Sequence, residues 1–204
     1  MYDAFLSVSV CDYADALPRS QFIHYDIHSL WQPVPRIAGP AFTVKCEPGD
    51  HLMLHAAIYR ANPGDIIVAQ ADDMYALAGG NVCAIAQQRG VAGFIIDRVI
   101  RDVQAVREMA FPVFARGVCP KPGAKKVLSP LNQPIECGGV TVNPGDIIVA
   151  DEEGIAVIPL ADAASVLETA KKRNEKDSSV SLAQWRDDHL EKVQSILTKL
   201  GFKE

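Results

Sequence analysis

The chain has 204 residues, 49% hydrophobic and 22% charged, with a formal net charge of -5. That is enough apolar material for one domain with a packed core. The acidic balance argues against nucleic acid as a direct ligand, because Lys and Arg cluster only at Lys125-Lys126 and Lys171-Lys172-Arg173. No apolar run reaches the length of a membrane span and Met1-Tyr2-Asp3 lacks the basic start of a secretion signal, so the expectation is a cytoplasmic protein without membrane contact.

In chain order, Cys11–Leu17 reads as a short helix. His24 and His28 stand four residues apart, as do His51 and His55, a spacing that on a helix suits metal chelation; neither pair encloses the Glu of an HExxH motif. Ala41–Cys46 is a strand candidate. Pro48-Gly49-Asp50 is a turn whose Asp suits the N-cap of a helix over His51–Ala61. Asn62-Pro63-Gly64-Asp65-Ile66-Ile67-Val68-Ala69 recurs unchanged from Asn143 to Ala150. Each copy is a turn with Gly at a positive φ, feeding a short apolar strand covered on both faces. Two copies fall short of a solenoid.

Asn81–Arg89 reads as a helix with Asn81 as N-cap and Gly90 just past its end. Gly93–Ile96 is a buried strand, Asp102–Met109 a helix, and Val113–Ala115 and Ile155–Ile158 further strands. The order is mixed α and β, with no regular βαβ alternation expected and no GxGxxG, so a Rossmann domain is not expected. Beyond Pro159 the chain turns helical. Ala163, Val166, Leu167 and Ala170 form one stripe, and Asn174 to Ser179 reads as a polar break. A last helix from Leu182 follows, capped by Ser181 with Gln184, its apolar line running Leu182, Trp185, His189, Val193, Ile196 and Leu200. His189 reads as a packing residue on that line. The division expected is a core of residues 1–160 and a helical arm of 161–204, folded back on its own core or onto a neighbouring subunit. Cys11, Cys46, Cys83, Cys119 and Cys137 are odd in number and form no CxxC, which suits small core residues better than a disulfide framework or a zinc site.

Two places carry candidate chemistry. Gly79-Gly80-Asn81 opens a helix, either as a plain loop and cap or as an anion site using free amides and the helix dipole. Arg101-Asp102 follows the buried strand, at the end where α/β folds commonly hold ligands. Asp102 is either a simple N-cap or a carboxylate for Mg²⁺; Arg101 is either a surface ion-pair partner or a fork for a substrate carboxylate. Asp97 is close enough in sequence to stand behind them as a second acid.

These residues resemble the RraA-like family, which holds the regulator of ribonuclease activity A and the 4-hydroxy-4-methyl-2-oxoglutarate aldolases. The likeness is carried by Gly79-Gly80-Asn81-Val82, by Arg89-Gly90-Val91-Ala92-Gly93 and by Arg101-Asp102-Val103. It extends to Asp12–Leu17, Gly39–Val44, Phe114–Gly117, Asn143–Asp146 and Asp151–Gly154. The resemblance implies an α-β-β-α sandwich of the swivelling-domain type with a C-terminal helical arm, assembled as a homotrimer or a hexamer. It implies Asp102 as the ligand of a divalent cation, usually Mg²⁺, with Arg101 and the amides of Gly79, Gly80, Asn81 and Val82 holding the pyruvyl part of a 2-oxo acid. Glu175 would stand for an acid that reaches the metal from a neighbouring subunit. The reaction implied is carbon–carbon lysis through a pyruvate enolate, either retro-aldol cleavage of a 4-hydroxy-2-oxo dicarboxylate or decarboxylation of oxaloacetate. The other reading is a non-catalytic protein that binds and regulates a ribonuclease or another protein.

Three departures from the family pattern stand out. Gly80 occupies the place of an acid that serves the base step on the 4-hydroxyl. Arg98 replaces a Gly, with scope to narrow the site or to recognise an extra carboxylate. Gln70-Ala71-Asp72-Asp73 replaces a Gly-rich turn. A divergent member with altered substrate preference is the expectation.

Overall fold

The computed structural model describes residues 2–71 and 75–202. The strands are β1 (His28–Ser29), β2 (Ile37–Lys45), β3 (Ile66–Gln70), β4 (Gly93–Ile100), β5 (Val113–Val118), β6 (Ile135–Cys137), β7 (Val140–Val142), β8 (Ile147–Asp151) and β9 (Gly154–Ile158). The helices are α1 (Val10–Tyr13), α2 (Leu52–Ala57), α3 (Gly80–Gln88), α4 (Val103–Glu108), α5 (Ala163–Ser179) and α6 (Leu182–Lys199).

Seven strands form one sheet in the order β1-β5-β4-β3-β2-β8-β9, and β6-β7 is a separate hairpin. Strand β2 is shared between two halves. Its first residues pair antiparallel with β8 (Ile37 with Ala150), and its later ones pair parallel with β3 (Ala41 with Ile66). At the far side Phe22 bridges Ala156 and the Ile23 amide donates to the Ile155 carbonyl at 3.0 Å, so the sheet nearly closes on itself. The expected α/β architecture with C-terminal helices is present.

One expectation is corrected. β2-α2-β3-α3-β4-α4-β5 is a run of parallel strands joined through helices, so regular βαβ alternation does exist here. Each of these helices and strands was expected singly; that the strands lie side by side and parallel, which makes them βαβ units, depends on pairing between residues far apart in the chain. With right-handed crossovers these helices fall on one face of β2–β5. The chain ends of β3 and β4 then point the same way, which places the loops after them side by side.

The repeated octapeptide makes two equivalent entries. Gly64 and Gly145 take φ of 90 and 84, and Asp65 and Asp146 each accept from the amide three residues back, of Asn62 and Asn143. In β8 the side chains alternate between two cores. Ile148 and Ala150 join the main core, while Ile147 and Val149 join a second one with Tyr13, Val10, Val166 and Ala170. Both faces are covered, hence an unbroken apolar run; each fully buried Ile or Val is worth about 1.5–3 kcal/mol.

α5 runs unbroken through the segment read as a break. Arg173 pairs with Asp15 at 2.9 Å and with Asp177 at 3.1 Å, and Asn174 donates to Asp12, tying this polar stretch to α1. α6 buries none of its residues, and Trp185, Leu190 and Ile196 are exposed. His189 is likewise exposed and stacks on Trp185 at 4.6 Å, so it does not pack on the core. Cys46, Cys83 and Cys137 are buried, Cys119 is half-buried, and Cys11 is exposed, against the expectation of a core residue there. No helix among the described residues is long and apolar enough to cross a membrane.

Candidate active site

Strand β4 delivers Arg101 and Asp102 beyond its last residue, Ile100. The segment leading into α3 runs alongside: the Leu77 amide donates to Val99 and the Arg101 amide to Ala78, at 3.1 and 3.0 Å. This brings the start of α3 against Asp102. The N-cap is Gly79 rather than Asn81, which lies inside the first turn. The first amides of a helix have no partner within it. One of them, Gly80 N–H, donates to Asp102 Oδ2 at 3.1 Å.

Asp102 does not cap its own helix as the simple reading expected. Its backbone is left-handed, φ 58 and ψ 35, and its side chain makes no capping bond to α4. Its carboxylate is spent on the neighbouring helix instead. Arg101 Nε stands 3.7 Å from Asp102 Oδ2, with both side chains about half exposed. Exposed pairs of this kind contribute about 0–1 kcal/mol, and a left-handed non-glycine residue costs roughly 1–2 kcal/mol. The Gly80 N–H bond and the weak ion pair roughly offset that strain without adding net stability, and strained backbone of this kind clusters at working sites. Gly79 is required by the approach: a Cβ there would fall 2.6 Å from Asp102 Oδ2 and 3.1 Å from Arg101 Nε.

The pair opens onto a cavity of about 430 Å³, also lined by Gly79, Asn81, Val82, His51, His55 and Lys125. Among the described residues, Asp102 is the single carboxylate on its wall, facing the cationic Arg101 and Lys125. The His51 and His55 rings lie 4.4 Å apart, with His51 Nδ1 3.2 Å from the Ala76 carbonyl. Burial, then the neighbouring His51, Lys125 and Arg101, push the His55 pKa down to about 4, so its ring is neutral at pH 7.

Asp50, next to His51 and behind the cavity lining, holds the segment that bears Lys125. Its Oδ1 accepts from Leu52 N at 2.8 Å, and its Oδ2 from Lys126 N at 2.6 Å and Val127 N at 3.2 Å. The Ala124 amide adds a bond to Gly49 O, which fixes the strap bearing Lys125. Burial opposes ionisation of Asp50, but these amides outweigh it and hold the carboxyl below its ordinary pKa.

The cavity thus gathers Gly79, Asn81, Val82, Arg101 and Asp102, with Gly80 reaching it through its amide. Sequence reasoning missed His51, His55, Lys125 and Asp50 as neighbours of that group, although the i,i+4 histidines, the Lys125-Lys126 pair and the third Pro-Gly-Asp were each visible. Other candidates lie elsewhere. Asp97 accepts from Arg116 Nε at 2.6 Å, Arg98 Nη1 at 3.0 Å and Gly138 N at 2.8 Å, so it is committed away from Asp102 and is no second acid there. Arg98 Nη1 pairs with Asp97 Oδ1 at 3.0 Å, and Arg98 is not among the described residues that line the cavity. Glu175 sits exposed on α5, off the cavity of its own chain. His24 and His28 are exposed, in a turn and at β1, each beside Asp26 and not on a helix. Asp72 and Asp73 lie outside the described residues.

A family model described as RraA-like, Aldolase/RraA, matches residues 8–157. The chain belongs to the RraA-like family. A Halalkalibacterium halodurans protein, provisionally named 4-hydroxy-4-methyl-2-oxoglutarate aldolase, is 39% identical over 81% of this chain and 79% of its own. RraAS2 of Streptomyces coelicolor, described as an unusual member of the RNase ES inhibitor RraA protein family, superimposes with a TM-score of 0.77 at 25% identity, over 87% of this chain and 93% of that one. The RNA-processing inhibitor RraA of Thermus thermophilis gives 0.67, also at 25% identity, over 74% of this chain and 92% of that one. Family members thus carry both aldolase and ribonuclease-inhibitor names.

Proposed function

We propose that this chain is a divalent-metal-dependent carbon–carbon lyase acting on a 2-oxo acid. The observation that carries the reading is the Asp102 carboxylate, pinned by Gly80 N–H in a strained backbone and facing an otherwise cationic cavity. Asp102 Oδ1 carries no hydrogen bond among the described residues, and no group of three or more His, Cys, Asp or Glu there forms a metal cluster. That suits Mg²⁺, which takes one or two carboxylates and fills its octahedron with water and substrate oxygens. When bound, the cation supplies Lewis-acid withdrawal of electron density from the 2-oxo group.

The protein's own groups do the rest. Arg101 offers its guanidinium to the substrate's C1 carboxylate, and the Asn81 and Val82 amides at the start of α3 add fixed positive potential. In retro-aldol cleavage the 4-hydroxyl loses its proton, the C3–C4 bond breaks, and its electron pair passes to C3 as pyruvate enolate. In decarboxylation of oxaloacetate the same bond breaks, CO₂ leaves, and no hydroxyl proton need be taken. Both end with protonation of C3. Neutral His55 stands on the cavity wall as a proton acceptor, a weak one given its low pKa. With Gly80 in place of an acid, decarboxylation is the easier half for this chain.

The test is pyruvate release from oxaloacetate and from 4-hydroxy-4-methyl-2-oxoglutarate with Mg²⁺. Arg101→Ala and Asp102→Asn should each lower kcat/KM by about 10²–10³. Absence of metal-dependent turnover on both substrates overturns the reading. A second reading, a non-catalytic regulator of a ribonuclease or another protein, is favoured by the uncovered apolar residues of α6. The assembly expected for either is a homotrimer or hexamer, which sedimentation would measure.

A further inference from the structure

The end of β4 is flanked on both sides. Residues 77–79 run along one side. On the other, Ile100 pairs with Val118 and the Cys119 amide donates to the Ile100 carbonyl at 2.9 Å. A second cavity of about 320 Å³ opens on this other side, lined by Arg101, Asp102, Val103, Val118, Cys119 and Pro120. Arg101 and Asp102 line both cavities.

The two spaces differ in chemistry. The first adds Lys125, His51 and His55 to the shared pair and suits carboxylates. The second adds no charged residue beyond the shared pair; its remaining lining residues are Val103, Val118, Cys119 and Pro120. Val118 is 58% exposed, an apolar side chain left uncovered beside the reacting position. A cavity of this size is at the lower end of small-ligand sites, about 300–1,000 Å³. It exceeds the needs of a single methyl group.

We infer that the site is two-lobed, and that the second lobe receives an uncharged apolar substituent, larger than methyl, on the C4 side of a 2-oxo acid. The inference rests on the 2-oxo-acid reading of the first cavity but not on turnover. With the 2-oxo carboxylate at Arg101 and the C3–C4 bond beside Asp102, the departing carbonyl fragment extends past the shared pair into the second lobe. Its alkyl or aryl group lies against Val118, Cys119 and Pro120, where burial excludes water from those apolar surfaces.

Cys119 provides the probe. In Cys11→Ser protein it is the remaining thiol that is not buried. Its alkylation by iodoacetamide is followed by mass spectrometry with Mg²⁺ and either 2-oxo-4-phenylbutanoate or pyruvate. The first should slow modification at least tenfold, and pyruvate, which has the head and no tail, should leave the rate within twofold. Val118→Trp, which fills the lobe from an exposed position, should weaken 2-oxo-4-phenylbutanoate binding at least tenfold while pyruvate affinity stays within twofold. Equal protection by both ligands, or none by 2-oxo-4-phenylbutanoate, overturns the two-lobed site. Oxaloacetate turnover without Cys119 protection sinks the lobe and leaves the lyase standing; protection without turnover does the reverse.

Discussion

The Asp102 carboxylate takes its hydrogen bond from the amide of Gly80, 22 residues earlier, at 3.1 Å. The bond ties the end of β4 to the start of α3 and turns a left-handed residue's side chain away from the helix it precedes. A plain N-cap would have bonded forward into α4; this one bonds backward, across to another helix.

Asp102→Gly separates stability from function. It relieves about 1–2 kcal/mol of left-handed strain and loses one partly exposed hydrogen bond of about 0.5–1.5 kcal/mol. Urea denaturation should place the variant within about 1 kcal/mol of wild type by these opposing magnitudes. Pyruvate release should fall by about 10² or more. A stability loss above about 2 kcal/mol would make the carboxylate a structural keystone instead.

The two glycines before α3 should respond differently. Gly79→Ala drives a methyl to 2.6 Å from Asp102 Oδ2; it should displace the Asp102 and Arg101 side chains and weaken Mg²⁺ binding at least tenfold by titration calorimetry. At Gly80 the nearest atom to a Cβ is that of Ala105 at 3.2 Å, with Asp102 Oδ2 at 3.9 Å. Gly80→Asp is therefore accommodated by a shift of a few tenths of an ångström. It sets a second carboxylate beside the first and should raise the ratio of 4-hydroxy-4-methyl-2-oxoglutarate cleavage to oxaloacetate decarboxylation.

His55 makes stability depend on pH. Its folded pKa of about 4 lies below the ordinary 6.5, so between these values the unfolded chain binds the extra proton. His55 therefore imposes no penalty above pH 6.5, and stability falls progressively as pH drops from 6.5 toward 4. With the ring partly exposed the loss is on the order of 1 kcal/mol. His55→Asn should remove that part of the slope when denaturation is compared at pH 7.5 and 4.5.

Deleting residues 181–204 should leave the melting temperature of the rest nearly unchanged, because α6 buries no residue. Deleting 161–204 also removes Val166 and Ala170 from the second core and Arg173 from Asp15. That larger cut should lower the melting temperature by several degrees, since burying one Val side chain alone is worth about 1.5–3 kcal/mol. Thermal scans of both truncations test whether 1–160 stands alone.

The strands were legible wherever the pattern was local. Ile66-Ile67-Val68-Ala69 and its copy at 147–150 announce doubly covered strands, and the preceding Pro-Gly announces the positive φ that both glycines adopt. α2 and α4 were legible as well, though expected longer; what was not legible is the parallel pairing of β2 to β5 that makes them βαβ crossovers. The continuity of α5 rests on Arg173 and Asn174 meeting α1, contacts between residues far apart in the chain.

What the sequence by itself determined is the position of Arg101-Asp102 at the end of a buried apolar strand and of Gly79-Gly80 at the start of a helix, because apolar runs and glycines act within a few residues. That these two places meet was expected from the family resemblance; tertiary structure alone decided that Asp102 bonds Gly80 rather than its own helix, and that His51, His55 and Lys125 share their cavity. It also decided that Asp97 and Arg98 turn to Arg116 and each other instead. The physical reason is range. A turn or a strand is selected by neighbours along the chain, whereas a side chain's partner is selected by the packing of parallel strands that brings distant loops together.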